Sequence, residues 1–368
     1  MPDAPYTALA DPALEARIAS DLRRITAKVR EALGPSLSVL LLGGGLGRGE
    51  GGGVRNSDGS WKPYNDYDLF AVVEGVSRLG MGRLRAELIQ VAAGLEKELG
   101  VEVELSPIRR EGLGRLPFTM MWCELFAAHR VLAGDPGVLA AIPPMPAGEL
   151  PLVEAARYLT NRSALLLWAL AEPLPPDRVW KFVHKAWLAS GAAFLIGRRQ
   201  FTVGYAARQR RMDEARAKGD PVPLLLVERH GEAAQARLEA TLPPPADRLT
   251  SLVAEARDGV LEAWKGVEET RTGEKISSWD AYAARPGLFS EPLSLLPSMA
   301  VRNLLLLGRR GLVPLSSLRE HPRTRVTRVL PALLEKRAPT PETSHLLGGG
   351  ATWADAASRC LALWRRAN

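Results

Sequence analysis

Two aspartates one residue apart, Asp66 and Asp68, lead into the apolar run Leu69–Val73. In a strand, positions two apart point to the same face, so these carboxylates would stand side by side. At about 4 Å and an effective dielectric near 20, their repulsion is about 4 kcal/mol, which favours a cation between them or partial protonation. Magnesium is such a cation in phosphate chemistry, held by one or two carboxylates and completed by substrate phosphates. An isolated Asp-x-Asp also fits a solvated strand entrance. Further on, Val101-Glu102-Val103-Glu104-Leu105 alternates acids with apolar residues. That pattern describes a half-exposed strand, or a strand that sets two acids, Glu102 and Glu104, on one face beside the first pair.

Upstream, eight of the eleven residues from Gly43 to Gly53 are glycine, directly after the apolar run Ser38–Leu42. Glycine lets the backbone turn sharply and approach a ligand, so successive N–H groups can converge on phosphate oxygens. A flexible surface loop has the same composition. The run also satisfies the dinucleotide-binding pattern as Gly47-x-Gly49-x-x-Gly52, with acids further on. That pattern should open a helix, and the residues that follow here read as turn and loop, which argues against an NAD(P)-dependent oxidoreductase.

These residues need a frame. Leu14, Ile18, Leu22, Ile25, Val29 and Leu33 recur every three or four positions and predict an amphipathic helix from Pro12 to Leu33, ended by Gly34-Pro35. Strands are expected at Ser38–Leu42, Asp68–Val73 and Val101–Ile108, with a helix over Leu79–Leu99 between the last two and a further strand through Met120–Leu125. A strand-helix-strand connection allows the two acidic strands to lie side by side. After about Pro151, strand signals give way to Ala/Leu/Arg-rich helical stretches: Leu152–Leu170, Asp177–Ile196, Asp247–Thr270, Pro292–Arg309 and Trp353–Arg366. Arg208–Asp220 reads as a charged helix or a connection, and Arg337–Gly350 as a surface loop.

The order glycine loop, Asp-x-Asp strand, helix, acid-bearing strand resembles the nucleotidyltransferase fold of the DNA polymerase β superfamily. Gly44-Gly45-Leu46-Gly47-Arg48-Gly49-Glu50 is similar to the Gly-Ser-x-Ala-Arg-Gly-Glu pattern of small bacterial members, Asp66-Tyr67-Asp68-Leu69 to their Asp-hydrophobic-Asp strand, and Arg130–Asp135 to their Arg-Val-Leu-Tyr-Gly-Asp stretch. The resemblance implies an α/β (α+β) domain with a mixed sheet over residues 1–150 and an all-α helical domain over 151–368 that clamps nucleotide or binds the acceptor. It implies that Gly44 and Gly45 cradle phosphates, with Arg48 in the same signature. Asp66, Asp68 and Glu104 would hold Mg2+ or Mn2+ and activate an acceptor hydroxyl against a nucleoside triphosphate, releasing pyrophosphate. Three departures stand out: Gly45 replaces a serine, Glu104 replaces an aspartate, and Gly51–Tyr64 lengthens the gap to Asp66. They leave a catalytically degenerate nucleotide- or nucleic-acid-binding module as the alternative. Trp61 and Tyr64 in the longer gap would cap a base or form a hairpin.

In the helical half, Lys181 and Lys185 fall one turn apart on one helix face, with His184 and Trp187 nearby. Lys185-Ala186-Trp187 followed by Tyr205 resembles the helical domain of nucleotide-adding polymerases, which implies a lysine at the triphosphate and a tyrosine near the base. A solvated helix face is the plainer reading, as it is for Asn161-Arg162 and Arg208–Arg211.

With 48 Lys+Arg against 41 Asp+Glu the chain carries +7 over 368 residues, which suits polyanionic ligands. The two cysteines, Cys123 and Cys360, have no metal-ligand spacing and are expected to be buried thiols in a reducing compartment. No apolar run reaches the roughly 18 residues of a membrane span, and Met1–Ala10 lacks a leader pattern. A cytoplasmic protein with no membrane partner is therefore expected. A small-molecule or protein acceptor is favoured over tRNA, because no RNA-binding motif is recognisable.

Overall fold

Helix α1, Pro12–Leu33, has its predicted bounds. Asp11 caps it by accepting from the Ala13 and Leu14 amides, and Gly34 ends it at positive φ. Its six predicted apolar residues are all buried. They pack with helix α3, Gly80–Leu99, on one face of a four-stranded sheet built from β1 (Leu37–Leu42), β4 (Tyr67–Val73), β5 (Val103–Arg109) and β6 (Arg130–Gly134). Between β1 and β4 lie the one-turn helix α2, Gly44–Gly47, and a hairpin of β2, Gly53–Arg55, and β3, Trp61–Pro63. The computed structural model describes residues 4–64, 66–239, 241–285, 301, 303–305 and 320–367.

The sheet order is β5-β4-β1-β6. The β4–β5 pair is parallel and joined through α3, while β1 runs antiparallel to both β4 and β6. The fold class is thus mixed α/β with a mixed sheet. Strand β1 is central and almost wholly buried, consistent with its unbroken apolar run. A second, smaller core of Val39, Leu41, Val72, Ile108, Leu113 and Val138 lies on the opposite sheet face.

Contacts divide the chain into two compact units. One contains residues Met1–Leu150 with Phe201–Glu214 and Ala234–Thr241, and the other Pro151–Gln200, Ala215–Ala233 and Leu242–Asn368. The second unit is helical among its described residues. Its longer helices are α5 (Leu152–Ala171), α6 (Pro176–Gly197) and α9 (Ala246–Thr272), with Pro322–Leu334 and Trp353–Ala367 later. Helices α7 (Tyr205–Ala217) and α8 (Leu224–Glu239) each have residues in both units. Among the described residues no helix is long and apolar enough to cross a membrane.

Some expectations need correction. Met120–Leu125 is not a strand but part of helix α4, Met120–Ala127, whose first turn is capped by Thr119. A short apolar run fits either element by periodicity, and here the cap and the burial of Met120 and Cys123 three apart decide for helix. Arg337–Gly350 is not all loop, since Thr340 caps a short helix at Pro341–Leu346. Strand β6 and the helices α8 and Pro322–Leu334 were not foreseen. The helix expected over Pro292–Arg309 falls mostly outside the described residues. Both cysteines are buried free thiols, as expected.

Candidate active site

Strand β4 alternates cleanly. Tyr67, Leu69, Ala71 and Val73 enter the core beneath α1 and α3, which turns Asp68 and Phe70 to the other face. Tyr67 fixes this register. Its hydroxyl donates to the buried Asp21 carboxylate of α1 at 2.9 Å, and burial followed by that negative charge raises its pKa well above the ordinary value. Asp66 stands one position before the strand with the parity of Asp68. On β5, Val103 and Leu105 are buried while Glu104 is exposed. Glu104 pairs in register with Asp68 across the parallel ladder, so both side chains rise from the same sheet face.

These charges interact. Burial first, then the negative charges of Asp66 and Glu104, push the Asp68 carboxyl up to about 7, against the opposing pull of Arg48 and Arg237. Among the described residues, no three His, Cys, Asp or Glu side chains converge closely enough to hold a metal by themselves. The donor set is instead a carboxylate pair with a third carboxylate on the next strand. That chemistry fits magnesium, which takes one or two carboxylates and leaves its remaining positions to water and phosphate oxygens.

The glycine run packs against this pair. The Gly43 amide donates to the Asp68 carbonyl at 2.8 Å, tying the end of β1 to the start of β4. Gly44 has a φ of +60°, and a Cβ there would overlap Asp68 Oδ2. Gly44 and Gly45 open α2, whose first-turn amides have no partner within the helix. Most of the other glycines have packing reasons. A Cβ on Gly47 or Gly53 would press against the Leu42 carbonyl or Leu14, and one on Gly52 would lie 2.7 Å from the Arg237 carbonyl and 2.9 Å from that of Leu238. Beyond α2 the chain enters the β2–β3 hairpin. The formal Gly47-x-Gly49-x-x-Gly52 match therefore opens no helix, and the dinucleotide-binding reading is set aside.

Arg48, Glu50, Glu124, Tyr205 and Arg208 form a second cluster within the same unit. Arg48 pairs with Glu50 at 3.1 Å and with Glu124 at 3.5 Å. Glu50 accepts the Tyr205 backbone amide at 2.7 Å. Arg208 is 1% exposed, ion-paired with Glu124, and donates to the Thr202 carbonyl at 3.0 Å. Burial and the nearby Arg48 charge push its pKa down to about 9, with Glu50 opposing, so it stays protonated at neutral pH. The expectation that Arg208–Arg211 is a solvated helix face therefore fails at Arg208. The Tyr205 ring lies between guanidinium groups, 5.4 Å from Arg48 and 5.6 Å from Arg208.

Asp66, Asp68, Glu104, Gly44, Gly45, Arg48 and Tyr205 thus all belong to one unit. Lys181 and Lys185 belong to the other, where they are half-buried on α6, and His184 between them is buried against the Trp180 ring. Glu50 stood in the Gly44–Glu50 signature and Glu124 in the expected strand Met120–Leu125, each without an assigned role, and Arg208 and Arg237 were missed as members of the site.

No protein-family model matches the chain, and no curated protein matches it either. Among solved structures it is similar to a spectinomycin adenyltransferase from Enterococcus faecialis, whose structure contains ATP and spectinomycin. The identity is 12%, the TM-score 0.40, and the alignment covers 66% of this chain and 98% of that one.

Proposed function

We propose that the chain is a metal-dependent nucleotidyltransferase, moving a nucleoside monophosphate from a nucleoside triphosphate to an acceptor hydroxyl. The observation that carries this reading is the in-register pair Asp68 and Glu104, with Asp66 of matching parity ahead of it and Gly44 against the Asp68 carboxylate. Asp66 and Asp68 would hold Mg2+, which when bound offsets charge on the attacking oxygen and on the departing pyrophosphate. The acceptor oxygen bonds to the α-phosphorus, the bond from that phosphorus to the bridging oxygen breaks, and pyrophosphate leaves with the electron pair. Glu104, exposed beside Asp68, is the group for the acceptor's proton, accepting it directly or through water. The first-turn amides of Gly44 and Gly45 are the donors offered to the phosphates. Small-molecule or protein hydroxyls remain the favoured acceptors.

The test is pyrophosphate release with each ribonucleoside triphosphate and Mg2+ or Mn2+, screening pooled small molecules, protein and tRNA as acceptors. Metal-dependent release should vanish in the Asp66→Asn/Asp68→Asn double variant. If wild type binds triphosphate with metal but supports no release on any acceptor pool, the catalytically degenerate binding module takes its place.

A further inference from the structure

The helical unit holds a cavity of its own, about 500 Å³ in volume, bounded by α6, α9 and the start of α8. That size is ordinary for a small-molecule site. Its apolar wall is made of Trp187 and Phe194 from α6, Ala263 from α9, and Leu225 and Leu226 from α8. Two glycines of α9 also line it, for different reasons. A Cβ on Gly259 would lie 2.3 Å from the Trp187 ring, so close packing requires glycine there. A Cβ on Gly266 would meet nothing within 4 Å. A glycine inside a helix is destabilising relative to alanine, and no neighbour accounts for this one. Its effect is to keep that stretch of wall open.

Trp187 is only 2% exposed, and its indole N–H has no hydrogen-bond partner among the described residues. A buried donor left unmatched is costly, and an acceptor atom on a ligand would relieve that cost. The charges bordering the cavity are uneven: three acids, Glu255, Asp258 and Glu262, stand against Arg198. Arg198 is already engaged, donating to the Pro221 carbonyl at 2.9 Å with its guanidinium 4.4 Å from the centre of the Phe194 ring. Glu255 pairs with Arg229, and Asp258 with Arg257 at 2.7 Å. Glu262 is exposed and makes no ion pair among the described residues. An anionic ligand would find no uncommitted cation here, whereas a cationic one gains a countercharge.

We infer that this cavity binds a small organic amine. The apolar body of the ligand packs against Trp187 and the glycine-bearing side of α9, its ammonium meets Glu262, and an oxygen on it accepts from the Trp187 indole. Aromatic walls favour such a cation further. The inference does not depend on the transfer reading, because every residue it uses lies outside the unit that carries the carboxylates.

The test is a ligand-observed NMR titration of full-length wild type, Gly266→Leu, Ala263→Met and Glu262→Gln. The probes are para-methoxyphenethylamine and the alcohol and carboxylate of the same skeleton. Wild type should bind the amine about threefold or more tightly than the alcohol, the size of a partly exposed ion pair, and the carboxylate more weakly than either. Gly266→Leu and Ala263→Met, which fill the cavity from neighbouring turns of α9, should each weaken the amine about tenfold or more. Gly266→Leu should melt at or above the wild-type temperature, because the helix loses a glycine. Glu262→Gln should bring the amine down to the affinity of the alcohol and leave the alcohol unchanged. Either filling variant binding the amine within about twofold of wild type would place it elsewhere and overturn the inference. So would a carboxylate that binds as tightly as the amine, or wild type that binds none of the three probes.

Discussion

Asp68 is where the chemistry and the electrostatics of the chain meet. A carboxyl held up to about 7 keeps its proton at pH 6 and has mostly lost it by pH 8. Because the folded-state value is raised, its contribution to stability is fully present below the ordinary carboxylate pKa and is lost as pH rises through about 7. Metal binding runs the other way, because it requires the carboxylate. Without divalent metal, the urea midpoint should therefore fall between pH 5 and pH 8, and Mg2+ with triphosphate should restore it at the upper end. Asp68→Asn should abolish both trends. A wild-type midpoint that rises over this range without metal would mean that Asp68 is not the controlling group. The shared parity of Asp66 and Asp68 was legible in the sequence because period two sets alternate positions of a strand on one face. Arg237 was not legible, since one arginine on a charged helix carries no local sign of the Tyr64 ring it will meet.

At the scale of elements, the glycine run has two purposes that composition alone cannot separate. Gly44 serves the carboxylate site, being left-handed with Asp68 where a side chain would go, while Gly47, Gly52 and Gly53 let neighbouring backbone and side chains close in. Gly44→Ala should cost about 1–2 kcal/mol from the positive φ alone, and more from displacing Asp68. Chemical denaturation would read the first effect, and loss of triphosphate binding the second. Retained affinity with lowered stability would make Gly44 a packing residue only. The alternation of β4 and β5 and the connection through α3 were readable in advance, because period two and a strand-helix-strand unit leave few arrangements. Helix α4 was not, since an eight-residue apolar segment satisfies either period and only the Thr119 cap favours helix. Glu124 consequently looked like part of a further strand, although it is the partner of a buried arginine. Glu124→Gln should destabilise the protein by about 3 kcal/mol or more, because Arg208 would be left buried without its countercharge. A urea midpoint unchanged from wild type would show that Arg208 finds another partner.

The boundary at residue 150 read from composition marks where strand signals end, but the compact unit holding the sheet also takes in Phe201–Glu214 and Ala234–Thr241. Those returning segments carry Tyr205, Arg208 and Arg237, and no local pattern announces that a piece of a helical stretch belongs with a distant sheet. The consequence concerns how the chain can be cut. A fragment of residues 1–150 retains every strand found among the described residues, both cores of the sheet and all three candidate carboxylates. It lacks Arg208, one of the two arginines that pair with Glu124, the backbone amide that Glu50 accepts, and the helix end that packs on Gly52. Partly buried carboxylates that lose one of their partners are costly, and an uncovered glycine run adds conformational entropy to the loop that shapes the site. The fragment should therefore unfold at lower urea than the full chain and bind Mg2+-triphosphate at least about tenfold more weakly, although its sequence contains Asp66, Asp68 and Glu104 intact. Equilibrium urea titration followed by tryptophan fluorescence, with triphosphate calorimetry on the same samples, measures both. A fragment matching the full chain in midpoint and affinity would mean that the carboxylates and the glycine turn are sufficient, and that the returning arginines contribute neither to the fold nor to phosphate binding.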